Sequence, residues 1–152
     1  MATLTAAFRE ETKRIHKEHK ALEKVMTDLD VALDRLTCYS EVFADLAGAD
    51  EVRRCSRLLA RVLPEHCRRE ETALLDPVSD VSPQLRIFCQ EMRQEHREVL
   101  AQLDSLTLAV KDLDRAEDLP EAIWHLKEQG KQLTTELRRH VAVEEQELSG
   151  FL

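Results

Sequence analysis

Apolar residues recur along the chain in alternating steps of three and four, the spacing that keeps side chains on one face of an α-helix. The first stripe is Phe8, Ile15, Leu22, Met26, Leu29, Leu33 and Leu36, and it is unbroken once Thr12 and His19 are counted in. It predicts a long first helix ending near Cys38 to Ser40, with Gly48 and Asp50 marking the approach to the next start. The second stripe takes Val52, Cys55, Leu59, Val62, His66, Glu70 and Ala73, up to the Asp76-Pro77 punctuation. Pro64 lies inside it, and the backbone bond it cannot make to Ala60 predicts a kink or break just before His66. Ser82 followed by Pro83 reads as an N-cap and a first-turn proline, opening a third stripe of Leu85, Cys89, Met92, His96, Val99, Leu103, Leu106 and Val110. The acidic stretch Lys111 to Asp118 is expected to be the next loop, with Asp118 and Glu121 at capping-box spacing. The fourth stripe is Leu119, Ile123, Leu126, Gly130, Leu133, Leu137, His140, Glu144 and Leu148. Gly130 on that seam costs about 1 kcal/mol relative to Ala and suits a place where two helices approach closely. Four long helices joined by short connections pack most simply as an all-α, up-down-up-down antiparallel four-helix bundle.

Composition sharpens this reading. With 152 residues the chain has the size of one ordinary domain, and 1–152 is read as a single unit. Three Gly, four Pro and 4% aromatic residues against 34% charged ones favour helix over strand. Twenty-two basic and 30 acidic residues give a net charge of -8, which argues against nucleic acid as a partner. No apolar run approaches the roughly 18 residues of a membrane span, and the opening MATLTAAFREETKRIHK lacks the apolar centre of a secretion signal. No membrane partner and a cytoplasmic location are therefore expected. Cys38, Cys55, Cys67 and Cys89 form no C-x-x-C pair and read as free thiols in a reducing compartment.

The histidines change the picture more. His19, His66, His96 and His140 each occupy a seam position, one per predicted helix, whereas His16 and His125 lie off the seams. Four imidazoles in a core of Leu, Val and Ile need a shared partner, because an unpaired buried polar group costs a few kcal/mol. His66 and His140 are each followed four residues later by a seam carboxylate, Glu70 and Glu144, and that spacing points both side chains at one volume. The set also repeats: Glu18-His19 and Glu95-His96 lie 77 residues apart, and His66 and His140 lie 74 apart, each of the latter leading to Glu-Glu-x-x-Leu. Each half is thus a helical hairpin with one lone His and one H-x-x-x-E, and two halves supply four imidazoles and two carboxylates. Such a set suits a pair of iron, manganese or zinc ions. No histidine has Glu three residues before it, which disfavours a ferritin-type site.

The ordered set His19, His66 with Glu70, His96, and His140 with Glu144 resembles the hemerythrin-like, or HHE cation-binding, family, from about Thr5 to Leu148. The resemblance implies a bundle holding a non-haem di-iron centre, with two Fe ions bridged by carboxylate and by oxo or hydroxo. It further implies that His19 and His66 ligate one half of the site, that His96 and His140 ligate the other, and that Glu70 and Glu144 bridge. Oxygen-carrying hemerythrins place a second histidine one turn from that of the third helix, where this chain has Met92 or Leu100. They also space the last carboxylate one residue further on, at the position of Glu145, so Glu144 is preferred on its phase with the seam and with Glu70. His16 is read as exposed or flanking, the rival being a fifth nitrogen ligand.

Ile15, Leu22, Val62, Met92, Val99 and Leu137, each one turn from a candidate ligand, are expected to wall the site off from solvent. Cys67 should point away, and Glu23, Tyr39 and Trp124 are expected to be solvated or packed. Three functions stay open: binding or sensing of O2, NO or a related small oxidant, redox turnover of peroxide or a similar oxidant, and a metal-stabilised bundle that binds a partner.

Overall fold

The structure, a computed structural model, describes residues 5–40 and 43–151, without the side chains of 38–40, 43 and 151. Helix α1 runs Ala6–Asp34 and is capped by the Thr5 side chain, which accepts from the Phe8 N–H at 3.3 Å. It stops short of the expected end at Cys38 to Ser40. Leu36 is fully buried but reaches the core from the turn beyond the helix, and its carbonyl accepts from Lys127 Nζ at 2.9 Å. Its place in the stripe therefore reflects burial and not helix. A short antiparallel hairpin, β1 (Thr37–Ser40) and β2 (Phe43–Asp45), which the composition gave no reason to expect, leads to Gly48. There φ is 97°, and a Cβ would stand 2.5 Å from the Ala32 carbonyl oxygen, so the turn back over α1 requires glycine.

Helix α2, Ala49–Glu70, continues through Pro64 without the predicted break. Ala60 and Pro64 both face solvent, where water can take the carbonyl that the proline leaves free. The seam runs through Leu63, fully buried, while Val62 is 36% exposed, so Val62 is not part of the wall. A π-helical turn, Glu71–Leu75, then joins α2 to α3 (Asp76–Ser79), carrying the rod past the expected stop at Asp76-Pro77. Pro77 falls in the first turn of α3, where a missing N–H costs little. The wider π turn buries both Leu74 and Leu75 and leaves Ala73 half-buried.

Ser82 caps α4 (Pro83–Arg115) by accepting from the Leu85 N–H at 3.2 Å. The helix runs deep into the stretch expected to be a loop, because buried Leu113 extends the period of Leu106 and Val110. Asp118 caps α5 (Leu119–Leu148), accepting from the Glu121 N–H at 3.1 Å. At Gly130 a Cβ would run into Leu33 of α1, which marks the close approach its place on the seam suggested.

Helices α1 and α4 each pack beside both α2 and α5, closing the up-down-up-down four-helix bundle. Buried apolar residues form two clusters. The larger, with Leu22, Leu33, Leu63, Val99, Leu126 and Leu137, fills the hairpin end of the bundle. The smaller, with Phe8, Ile15, Leu74, Leu75, Met92 and Leu148, fills the other. Among the described residues no helix is long and apolar enough to cross a membrane.

Candidate metal centre

Between the two clusters lies a layer of buried polar side chains, which no helix could bury alone. His19 comes from α1, His66 and Glu70 from α2, His96 from α4, and His140 and Glu144 from α5. The four imidazoles are 2–4% exposed and both carboxylates 0%. The donor atoms converge as two groups, His19, His66 and Glu70 on one side and Glu70, His96, His140 and Glu144 on the other, each within 4.8 Å and both including Glu70. All six residues singled out by the sequence are therefore brought together.

The imidazoles point Nε2 inward. Glu70 Oε1 lies 2.7 Å from His19 Nε2 and 3.0 Å from His66 Nε2, and its Oε2 lies 3.0 Å from His96 Nε2. His96 and His140 turn their Nε2 atoms toward each other at 3.1 Å. Glu144 is 3.2 Å from His19 Nε2 and 3.4 Å from His140 Nε2, yet neither of its oxygens makes a hydrogen bond. The rings pair similarly in the two halves, His19 with His66 at 5.0 Å between centroids and His96 with His140 at 4.7 Å.

Outside the layer, each Nδ1 meets a carboxylate: Glu145 at 2.8 Å from His19, Glu18 at 2.6 Å from His66, Glu71 at 2.9 Å from His96, and Glu95 at 2.7 Å from His140. An Nδ1–H donated outward leaves the Nε2 lone pair free for a cation. Sequence reading passed over these four as partners, although each stands next to a seam His or Glu. On a helix, adjacent residues point about 100° apart, so the neighbour of an inward side chain faces the next helix.

Electrostatics divide the two inner carboxylates. Burial acts to raise the pKa of Glu70, but its contacts with Glu144, His19, His66 and His96 outweigh it and hold Glu70 well below the usual range. Burial and the charge of Glu70 raise Glu144. Burial acts to lower His19, yet Glu144 and Glu70 prevail and raise it from 6.5 to about 11. His140 is raised in the same sense, against burial, by Glu144, Glu95 and Glu70. A fully buried carboxylate without hydrogen bonds is costly unless a cation takes it. The unsatisfied Glu144 oxygens and the facing His nitrogens thus fit a bound metal ion.

The remaining candidates separate cleanly. His16 is half exposed and donates Nδ1–H to Glu145 Oε1 at 2.7 Å, outside both groups, which accords with a flanking position. Glu145 likewise stays on the outer side, with Glu144 inside. Ile15, Leu22, Met92, Val99 and Leu137 are buried as expected of a wall, and Leu63 stands where Val62 was expected. Cys67 is buried, and burial followed by the charges of Glu70, Glu71 and Glu144 pushes its thiol up, away from thiolate chemistry. Cys55 and Cys89 are also buried and free, whereas the side chains of Cys38 and Tyr39 lie outside the described residues. Trp124 is 64% exposed, and Glu23 is engaged at the surface by Arg138.

No curated protein and no solved structure matches the chain. The family model described as the hemerythrin HHE cation binding domain matches residues 10–152, which take in all six inner side chains. The chain therefore belongs to the hemerythrin HHE cation-binding family.

Proposed function

We propose that this chain is a non-haem di-iron protein that binds or senses O2, NO or a related small oxidant in the centre of the bundle. The observation that carries the reading is the pair of donor groups sharing Glu70, three ligating side chains on one side and four on the other. His19 and His66 would hold one ion, His96 and His140 the second, with Glu70 spanning them and Glu144 completing the centre. Imidazole with carboxylate suits iron in a site of this kind, and the irons would supply an open coordination position and electrons for the small ligand.

The residues of the chain supply the rest. Nδ1 contacts to Glu18, Glu71, Glu95 and Glu145 hold each ring in one tautomer. Ile15 and Met92 on one side, and Leu22, Leu63, Val99 and Leu137 on the other, keep bulk water out and favour a ligand of diatomic size. Burial of the set at 0–4% exposure supports that size limit.

Anaerobic loading with ferrous iron, followed by stopped-flow spectra with O2, H2O2 and NO, tests the proposal. A persistent spectral change that reverses when the ligand is removed is the expected result. A change that decays with measurable consumption of peroxide would make the chain a redox enzyme instead. Protein that keeps its helices without metal and reacts with none of the three when loaded would leave only a structural role.

A further inference from the structure

The outer carboxylates follow a rule of their own. Glu18 of α1 meets His66 of α2, Glu71 of the π turn that continues α2 meets His96 of α4, Glu95 of α4 meets His140 of α5, and Glu145 of α5 meets His19 of α1. Every contact crosses to the neighbouring helix, and taken in order they close a circle around the bundle in one direction. The four are not fastened alike. Arg69 binds Glu18 and Arg139 Nη1 binds Glu95 at 3.2 Å, both arginines belonging to the helix whose histidine is held. His16 donates to the same Glu145 oxygen that receives His19, again from the helix of the histidine. In the second half the counterpart of His16 is Arg93, which turns to Asp76 instead, and Glu71 keeps His96 alone.

We propose that Glu18, Glu71, Glu95 and Glu145 are positioning residues forming a closed ring, in which each helix holds the outer nitrogen of the next helix's imidazole and none supplies that contact to its own. The inference rests on the cation-binding reading for its purpose and on the four contacts for its geometry. Its physical content is directional. A ligand imidazole with a free outer nitrogen can rotate and exchange tautomers, whereas one donating Nδ1–H to a fixed carboxylate presents Nε2 inward. Because the contacts circulate, displacing one helix strains two of them, the one its carboxylate makes to the next helix and the one its own histidine receives. The ring thus makes ligand geometry depend on all four helix interfaces.

Two measurements test it separately. In metal-free protein labelled with 15N-histidine, Glu18→Ala is expected to shift the ring nitrogen signals of His66 and leave those of adjacent His19 largely in place. Glu71→Ala, Glu95→Ala and Glu145→Ala should act in the same crossed fashion on His96, His140 and His19. The corresponding Gln variants, which still accept the Nδ1–H, should restore the wild-type tautomer. In the second measurement, ferrous iron is titrated against a chelator, and each Ala variant is expected to lose about 10- to 100-fold in affinity, with Gln recovering most of it. Circular dichroism identifies any variant that fails to fold, and for that position the Gln variant is read instead. Signals that move at the sequence neighbour, or at no histidine, would overturn the ring. Wild-type protein that takes up no iron would overturn the cation reading, with the nitrogen signals still deciding the ring.

Discussion

In the α1–α2 half, Glu70 lies within 2.7–3.0 Å of three imidazoles and stays ionised far into acid. In the α4–α5 half, Glu144 follows its histidine at the same distance in sequence, is just as deeply buried, and has no hydrogen bond. The letters are the same and the environments are not. The halves also differ in backbone, since a π turn follows Glu70 whereas α5 continues as regular helix through Glu144 to Leu148. The comparison teaches that H-x-x-x-E fixes which face a carboxylate occupies, while neighbouring helices decide whether it is satisfied without a cation or requires one.

The largest effect should come from removing the shared member. Glu70→Ala is expected to abolish iron binding, because Glu70 belongs to both donor groups, whereas Glu144→Ala should lose about half of it. Elemental analysis after anaerobic loading distinguishes the two, and equal losses would erase the asymmetry. In the same assay His66→Ala and His140→Ala should each lose iron, while His125→Ala, at an exposed site, should not.

Next in size is the stability of the metal-free protein. Glu70→Gln should destabilise it by about 3 kcal/mol, since three imidazoles lose the carboxylate they share. Glu144→Gln should cost less, about 1 kcal/mol, since the loss of its attraction to His19 and His140 is offset by relief of its repulsion with Glu70. Denaturant unfolding with a chelator present reads both, and equal losses would break the comparison.

A smaller and more gradual effect is expected with pH. His19 is raised from 6.5 to about 11, so its contribution is fully present below pH 6.5 and is lost progressively as the pH climbs to about 11. Metal-free protein should therefore weaken on the alkaline side. A cation taken up at His19 would have to displace that proton, so affinity should rise over the same range, and opposite slopes in unfolding and binding titrations would establish the link. Smallest of all, His16→Ala should change iron affinity only a few-fold, because Glu145 keeps its contact to His19.

Much of this was legible in the chain itself, for reasons particular residues make plain. The seams of α1, α4 and α5 and all six inner side chains follow from helical spacing, because each sits where a regular helix puts it. Val62 failed because two apolar residues stand side by side, and period alone could not choose Leu63. Pro64 failed as a breaker because its cost depends on whether the freed carbonyl of Ala60 meets water or core. Leu36 looked helical because burial and helix leave the same mark on a stripe. The outer carboxylates belong to contacts between helices, which a periodicity along one helix does not encode.

The charged slab that separates the two apolar clusters has a consequence for how the molecule holds together. The long helices run through both clusters, and the polar layer is the stretch of their shared interior that apolar packing does not hold together. A cation seated there would act as a keystone. Without it the end built on Phe8, Leu75 and Leu148, with fewer buried residues, should open first and admit the incoming ion, while the hairpin end stays shut. Amide exchange should then resolve two blocks in the chelated protein and a single block once metal is restored.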